Sequence, residues 1–313
     1  MNILAIAEVF VETGLVFSLI AMGYYVTYTI LDFPDLTVEG TFLSGGVVYG
    51  LCVMLGLNAW IGIILAFVAG FAFGSLTGFL CVRVGIRPLL CGILVSTALI
   101  SVNLVAVGAG MNHDFTGETM SSISYGRNAP TLHNIPPFKY IPAKVDGVGL
   151  RDLVIFLVIA VIFKLLLDAF FGTKRGLLLR AAGNNDCYVK TLAEDPGKSK
   201  ILGLAIGNGY AAVSGALYSQ ISGNVNQSMG IGMVVIGLAS LIIGLSVFRK
   251  VRFMKPTTKV ILGSIIYQAC LTVAQQLGMP SAYNKLIMAL LFTLALVFSG
   301  KIKKKANGGG KNA

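Results

Sequence analysis

Runs of roughly 20 mostly apolar residues recur along this chain, near 4–31, 41–56, 59–82, 88–108, 151–171, 201–221, 229–248, 259–276 and 284–300. A backbone in lipid finds no water for its N–H and C=O groups, so such runs must close their hydrogen bonds internally as helices. The expected fold is an all-α polytopic membrane protein with about nine transmembrane helices, range 8–10. Composition supports this, because 56% of residues are hydrophobic and only 12% are charged, which excludes an ordinary soluble domain. The second run is short and rich in glycine (Gly45, Gly46, Gly50), as a half-helix or re-entrant piece would be. Met1 to Leu31 carries no basic leader, and Glu8 and Glu12 stand where a cleavable signal would place Lys or Arg. The first run is expected to be retained.

A net charge of +11 would suggest a nucleic-acid partner in a soluble protein, but here the Lys and Arg residues cluster between apolar runs. Arg83 with Arg87, the stretch Lys174 to Lys200, Arg249 to Lys259 and the tail beginning at Lys301 are expected on the cytoplasmic side. Nine spans then place Met1 outside and Leu31 to Gly40 near the inner face. The five cysteines lack metal-type or extracellular pairing spacing and read as unpaired thiols. His113 and His133 have no ligand-spaced partner, and no Gly-x-Ser-x-Gly or His-Glu-x-x-His occurs. Gly197-Lys198-Ser199 approaches a nucleotide-binding loop, but Leu192 stands where that loop needs glycine. The chain is expected to be a transport subunit rather than an enzyme, with no cofactor of its own.

The whole chain, 1–313, reads as a single transmembrane domain. Its first part, 1–108, and its last apolar part, 201–300, look alike: Asp35-Leu36-Thr37-Val38-Glu39-Gly40 opens one Gly-rich span, and Asn226 to Gly232 opens another. Each is followed by a helix, a Gly/Pro turn and a final helix. One helix lies between the two units, so the second must run inverted, a design recurrent in transporters whose pathway lies between broken helices. On the outer side, 110–149 is long and proline-rich and either contacts something extracellular or caps the bundle; 301–313 is a basic tail.

The polar insert 172–200 is much longer than the roughly six residues an ordinary connection uses. It is expected to dock a partner protein through a short exposed helix, the alternative being a solvated loop whose charge only follows topology. Leu177 to Arg180 would continue a helix, Ala181 to Asn185 would turn, Asp186 to Ala193 would form a short helix, and Glu194-Asp195-Pro196-Gly197 would end it.

Small residues recur every fourth position in 59–82 (Gly62, Ala66, Gly70, Gly74, Gly78) and in 201–221 (Gly203, Gly207, Ala211, Gly215, Ser219), so each run presents one face suited to close helix packing. Asp35 and Glu39 are four apart, with Thr37 between them, at a membrane boundary where ionisable groups are functional candidates. They would meet a cation or amine, or else form an acidic turn capping the next helix with Asp35 or Thr37 as N-cap. Asn103, Asn208, Gln220, Asn224, Asn226 and Gln227 are candidates for a polar solute pathway, or for interhelical hydrogen bonds.

At these residues the chain resembles the permease subunits of ATP-binding-cassette importers, in the branched-chain amino acid and ribose permease superfamily. Asp35 to Gly40 looks like that family's Asp-Leu-Ser-Val-Gly signature. Arg180-Ala181-Ala182-Gly183-Asn184-Asn185 followed by Lys200 to Gly215 looks like its coupling loop and next helix, and Gly230 to Gly237 like its Gly-rich segment. The likeness spans nearly the whole chain and is nearest to a branch thought to serve amino acids, including aromatic ones. Glu39 departs from the glycine of the ribose-type pattern, which argues against a sugar. The resemblance implies an importer in a bacterial plasma membrane, a permease homodimer or paired permease, and an extracellular solute-binding lipoprotein. It also implies cytoplasmic ATPase subunits that hold ATP and grip Arg180, Gly183, Asn184, Asn185, Asp186, Glu194 and Asp195. An ion-coupled secondary transporter using Asp35 and Glu39, or a permease for a sugar or nucleoside, remains the alternative.

Overall fold

The computed structural model describes residues 3–110, 122–124, 132, 150–191, 193–251, 253–276, 283 and 286–297. The rest of the outer stretch with both histidines, the turn around Pro280 and the tail 301–313 lie outside the described residues. Helix α1 (Ile3–Tyr24) runs into a π-helical turn (Tyr25–Ile30), followed by α2 (Val38–Met54), α3 (Ala59–Val82), α4 (Pro88–Gly110) and the short strand β1 (Ser122–Ser124). Next come α5 (Leu150–Gly172), α6 (Lys174–Asn184), α7 (Asp186–Thr191), α8 (Pro196–Ser222), β2 (Asn224–Asn226), a 3-10 turn (Gln227–Gly230), α9 (Met233–Val247) and α10 (Pro256–Gln276). An apolar helix, α11 (Leu286–Val297), ends the described chain.

Among the described residues seven helices are long and apolar enough to cross a membrane, and α2 and α11 are shorter apolar helices. These correspond to the nine runs in the sequence, and the protein is an all-α polytopic membrane protein. Of the boundaries that differ, three have clear local reasons. Helix α8 starts five residues before the expected 201, because Asp195 caps it, accepting the Gly197 N–H at 2.8 Å, and Pro196 occupies the first turn, where a missing N–H costs nothing. Helix α9 starts later than 229, because the chain winds through the 3-10 turn and then needs Gly232 at φ 92°. In the insert, α6 continues through the expected turn to Asn184 and breaks only at Asn185, and Glu194 to Gly197 leads into α8.

Helix α8 is the buried centre. Its Ser214 hydroxyl donates to the Val16 carbonyl at 2.7 Å and its Gly207 lies on Gly23, so α1 runs antiparallel to it. Gly74 of α3 lies on Leu204 and Gly78 on Ile201, so α3 is antiparallel as well. The small-residue face of α3 meets α8 as expected of a close crossing, but it does not meet the small-residue face of α8. That face serves other neighbours: Gly207 receives Gly23 and Thr27, Gly215 receives Phe42, and Gly203 receives Leu31. A β-carbon at Gly23 would run into the Gly207 carbonyl, and one at Gly215 into the Phe42 carbonyl. These glycines let backbones approach and gain dispersion contacts where lipid offers no hydrophobic drive.

The described members of the basic clusters before the tail gather at one end of the bundle. Arg83, just past α3, pairs with Asp195 at the start of α8 at 3.2 Å, and Lys255, just before α10, pairs with Asp168 near the end of α5 at 3.3 Å. At the opposite end, β1 of the outer stretch pairs antiparallel with β2, Ile123 facing Val225. Cys52, Cys81, Cys91 and Cys270 are free thiols.

Candidate functional site

Two helices begin inside the bundle rather than at its ends. Helix α8 is about 40 Å long, and Asn208 lies roughly 18 Å along it; the approach to α2 packs against that residue. The chain leaves the basic end through the π turn, which closes with Leu31 N–H to Val26 carbonyl at 3.1 Å, and climbs through Leu31 to Thr37 before α2 starts. After α8 it reverses at Gly223 (φ 68°), pairs as β2 and descends, with Val225 and Met229 against Gly46 and Gly230 against the Glu39 backbone. Helix α2 climbs parallel to α8, since Thr41 reaches Asn208 and Tyr49 reaches Gln220. Helix α9 descends from the same level toward its antiparallel partner α10, Gly244 lying on Val260.

Asp35 sits in the approach, only 1% exposed. Its Oδ1 accepts the Thr37 N–H at 2.9 Å, its Oδ2 accepts Asn208 Nδ2 at 2.6 Å, and its carbonyl accepts the Tyr24 hydroxyl at 3.1 Å. Asn208 in turn donates to the Leu204 carbonyl at 2.9 Å and accepts the Thr41 hydroxyl at 2.9 Å, while the Thr37 and Thr77 hydroxyls pair at 3.0 Å. This closed network ties the start of α2 to α3 and α8. Burying a carboxylate without such donors would cost several kcal/mol.

Glu39 lies in the first turn of α2, half-buried, and its Oε1 accepts the Gly232 N–H at 2.9 Å. One acid thus stands at the N-termini of both α2 and α9, where negative charge is favoured. It lines a cavity of about 330 Å³ together with Gly40, Leu43, Ser96, Ile100, Gln227, Ser228, Gly230 and Ile231. The cavity has one carboxylate, three neutral polar side chains and an apolar wall. A larger groove of about 490 Å³ between α3, α5 and α8, lined by Trp60, Phe67, Phe163 and Tyr210, is almost wholly apolar and offers nothing to a polar solute.

The remaining candidates fall around these two centres. Asn103 is buried, donating to the Gly40 carbonyl at 3.4 Å, and Gln220 is buried, accepting the Tyr49 hydroxyl at 2.9 Å. Asn226 accepts the Ser228 hydroxyl at 2.8 Å and lines a narrow cleft beside Asn103 and Gln227, and the Asn224 carbonyl accepts the Ser222 hydroxyl at 2.8 Å. Gln227 reaches the 330 Å³ cavity.

In the insert, Thr173 caps α6 by accepting the Gly176 N–H at 3.2 Å. Arg180 lies over the Phe171 ring, 4.6 Å from its centroid. Gly183 packs on Ile30 and Leu31 so tightly that a β-carbon would run into the Ile30 carbonyl. Asn184, Asn185 and Glu194 are exposed, Asp186 begins α7, and Asp195 both caps α8 and pairs with Arg83. Helix α6 therefore bears directly on the segment leading to Asp35 and α2.

Nothing in the sequence singled out Thr41, Thr77 and Tyr24, whose hydroxyls complete the buried network, Tyr49, which donates to Gln220, or Ser96, which α4 brings to the cavity. Isolated hydroxyls in apolar runs carry no spacing signal. Gly232 was visible as part of a Gly-rich segment, but its role as donor to Glu39 needed the tertiary fold. Among the described residues no group of three or more His, Cys, Asp or Glu could hold a metal ion.

A family described as "Branched-chain amino acid transport system / permease component" matches residues 6–296. The chain is 36% identical over 297 residues to a tyrosine transport system permease protein of Clostridioides difficile, covering 94% of this chain and 92% of that one. It is 30% identical over 300 residues to an uncharacterized protein of Rickettsia prowazekii, covering 95% of this chain and 97% of that one. No solved structure matches.

Proposed function

The chain belongs to the branched-chain amino acid transport permease family, and from that premise we propose that it is the membrane subunit of an ATP-binding-cassette importer for an aromatic amino acid such as tyrosine. The observation that carries this reading is the 330 Å³ cavity where the starts of α2 and α9 meet. It is within the size range of small-molecule sites. In it Glu39 meets the ammonium of the amino acid, Ser96, Gln227 and Ser228 meet its carboxylate, and Leu43, Ile100 and Ile231 pack on its side chain. The name of the tyrosine permease relative supports the choice of solute.

Helices α2 and α9 start together and run in opposite senses, as an inverted repeat requires, and broken helices at such a junction are a recurrent basis for alternating access. ATP binds and is hydrolysed on separate cytoplasmic subunits that grip α6 and α7. Their motion enters through Gly183 on Ile30 and Leu31, and passes along the approach to Asp35 and α2. A second permease copy and an extracellular solute-binding lipoprotein complete the assembly, with the basic end of the bundle in the cytoplasm of a bacterial cell. This chain itself carries out no covalent chemistry.

The test is uptake of labelled tyrosine by cells expressing the chain together with an ATPase and a solute-binding protein of the same transport system. Asn185→Trp, placed at an exposed position, should abolish uptake while membrane insertion and melting temperature stay as in the parent. Normal uptake by Asn185→Trp would sink the docking role, and gradient-driven uptake by this chain alone in liposomes would support a secondary transporter instead.

A further inference from the structure

At the basic end, a second polar concavity of about 220 Å³ opens between the end of α5, α6, the π turn and the start of α10. Its walls include Tyr25, Asp168, Phe171, Arg180, Lys255 and Thr257. Asp168 is fully engaged: Oδ1 accepts the Thr257 hydroxyl at 2.7 Å, and Oδ2 accepts Lys164 Nζ at 3.2 Å and Lys255 Nζ at 3.3 Å. Two cations, Lys164 and Lys255, engage this one carboxylate, and Arg180 lines the same pocket, so the balance there is positive. The Lys255 side chain is 66% exposed and holds further N–H donors beyond its bond to Asp168.

Arg180 is arranged differently. Its guanidinium lies over the Phe171 ring, which is itself set edge-on by Tyr25 at 5.8 Å, and among the described residues it has no carboxylate within ion-pair distance. A stacked guanidinium keeps its fork of donors pre-oriented for two oxygens of one anionic group. The height of the pocket narrows the choice of anion. Helix α5 is an apolar helix of 23 residues ending at Gly172, a length that places its end at the lipid headgroups. Basic pockets between transmembrane helices at that level bind lipid phosphates.

We propose that this pocket binds the phosphodiester headgroup of an anionic phospholipid, with Arg180 and Lys255 as its ligands and Asp168 positioning Lys255. The site is separate from the solute cavity. Because α6 also bears on Ile30, an occupied pocket braces the insert against the bundle.

The test uses the purified full-length chain in an uncharged detergent, with the melting temperature followed against added short-chain phosphatidylglycerol, phosphatidylcholine of the same chain length, or inorganic phosphate. Phosphatidylglycerol should stabilise the parent and the other two should not. Arg180→Gln combined with Lys255→Gln should raise the phosphatidylglycerol concentration needed by about tenfold or more. Lys174→Gln combined with Lys198→Gln, which removes the same charge from exposed positions nearby, should leave it unchanged. Should the first pair fail to fold, Lys255→Gln alone keeps a donor for Asp168 and should still weaken the response. An equal loss in the control pair, or equal stabilisation by phosphatidylcholine, would overturn the site. Equal stabilisation by inorganic phosphate would overturn the lipid as its source.

Discussion

Asp35 and Glu39 stand four residues apart at the entry to α2, and the fold gives them opposite situations. Asp35 is enclosed and both its oxygens are taken, by Thr37 and Asn208. Glu39 uses one oxygen to hold the start of α9 and borders a cavity large enough for a small solute. A carboxylate inside a membrane bundle is costly wherever it sits. Where every acceptor is taken by fixed donors, the cost is offset by architecture; where one oxygen remains beside a cavity, the group is available to a ligand.

Substitutions can break this contrast in a predictable order. Asp35→Ala leaves one Asn208 N–H and the Thr37 N–H without acceptors in a closed interior, and should lower stability by about 2–4 kcal/mol, read as a drop in melting temperature and in inserted protein. Asn208→Leu removes the donor to Asp35 but leaves Thr41 the Val38 carbonyl as an alternative acceptor at 3.2 Å, so the loss should be nearer 2 kcal/mol. If either variant kept parental stability while losing uptake, Asp35 would belong to the pathway and the contrast would fail.

Glu39→Gln keeps an acceptor for the Gly232 N–H and removes the charge. Its melting temperature should match the parent, while tyrosine uptake falls about tenfold. Ser96→Ala takes one neutral donor from the cavity wall and should change the half-saturating concentration for uptake by only about threefold. A larger effect from Ser96 than from Glu39 would mean that the solute is held by neutral hydrogen bonds rather than by charge.

Much of the bundle was legible in the sequence because a membrane leaves few options: apolar length dictates helices, and basic clusters mark one end. The small-residue faces were also legible, although which face meets which helix was not, since every-fourth spacing defines a face without naming its partner. Asp35 and Glu39 are four apart but do not share a helical turn, because α2 begins only at Val38 and Asp35 lies in the climbing approach. The neutral amides divided similarly. Asn103, Asn208 and Gln220 bond to protein partners far away in sequence, at Gly40, Asp35 and Tyr49, and Gln227 reaches the cavity only because the chain descends again after α8.

The most direct measurement is ATP-dependent uptake of labelled tyrosine by the complete assembly carrying Glu39→Gln, normalised to the amount of folded protein. The account predicts a stable, correctly inserted variant whose uptake is largely lost. Parental uptake by that variant, at parental stability, would contradict the assignment of the cavity at the starts of α2 and α9 as the solute site.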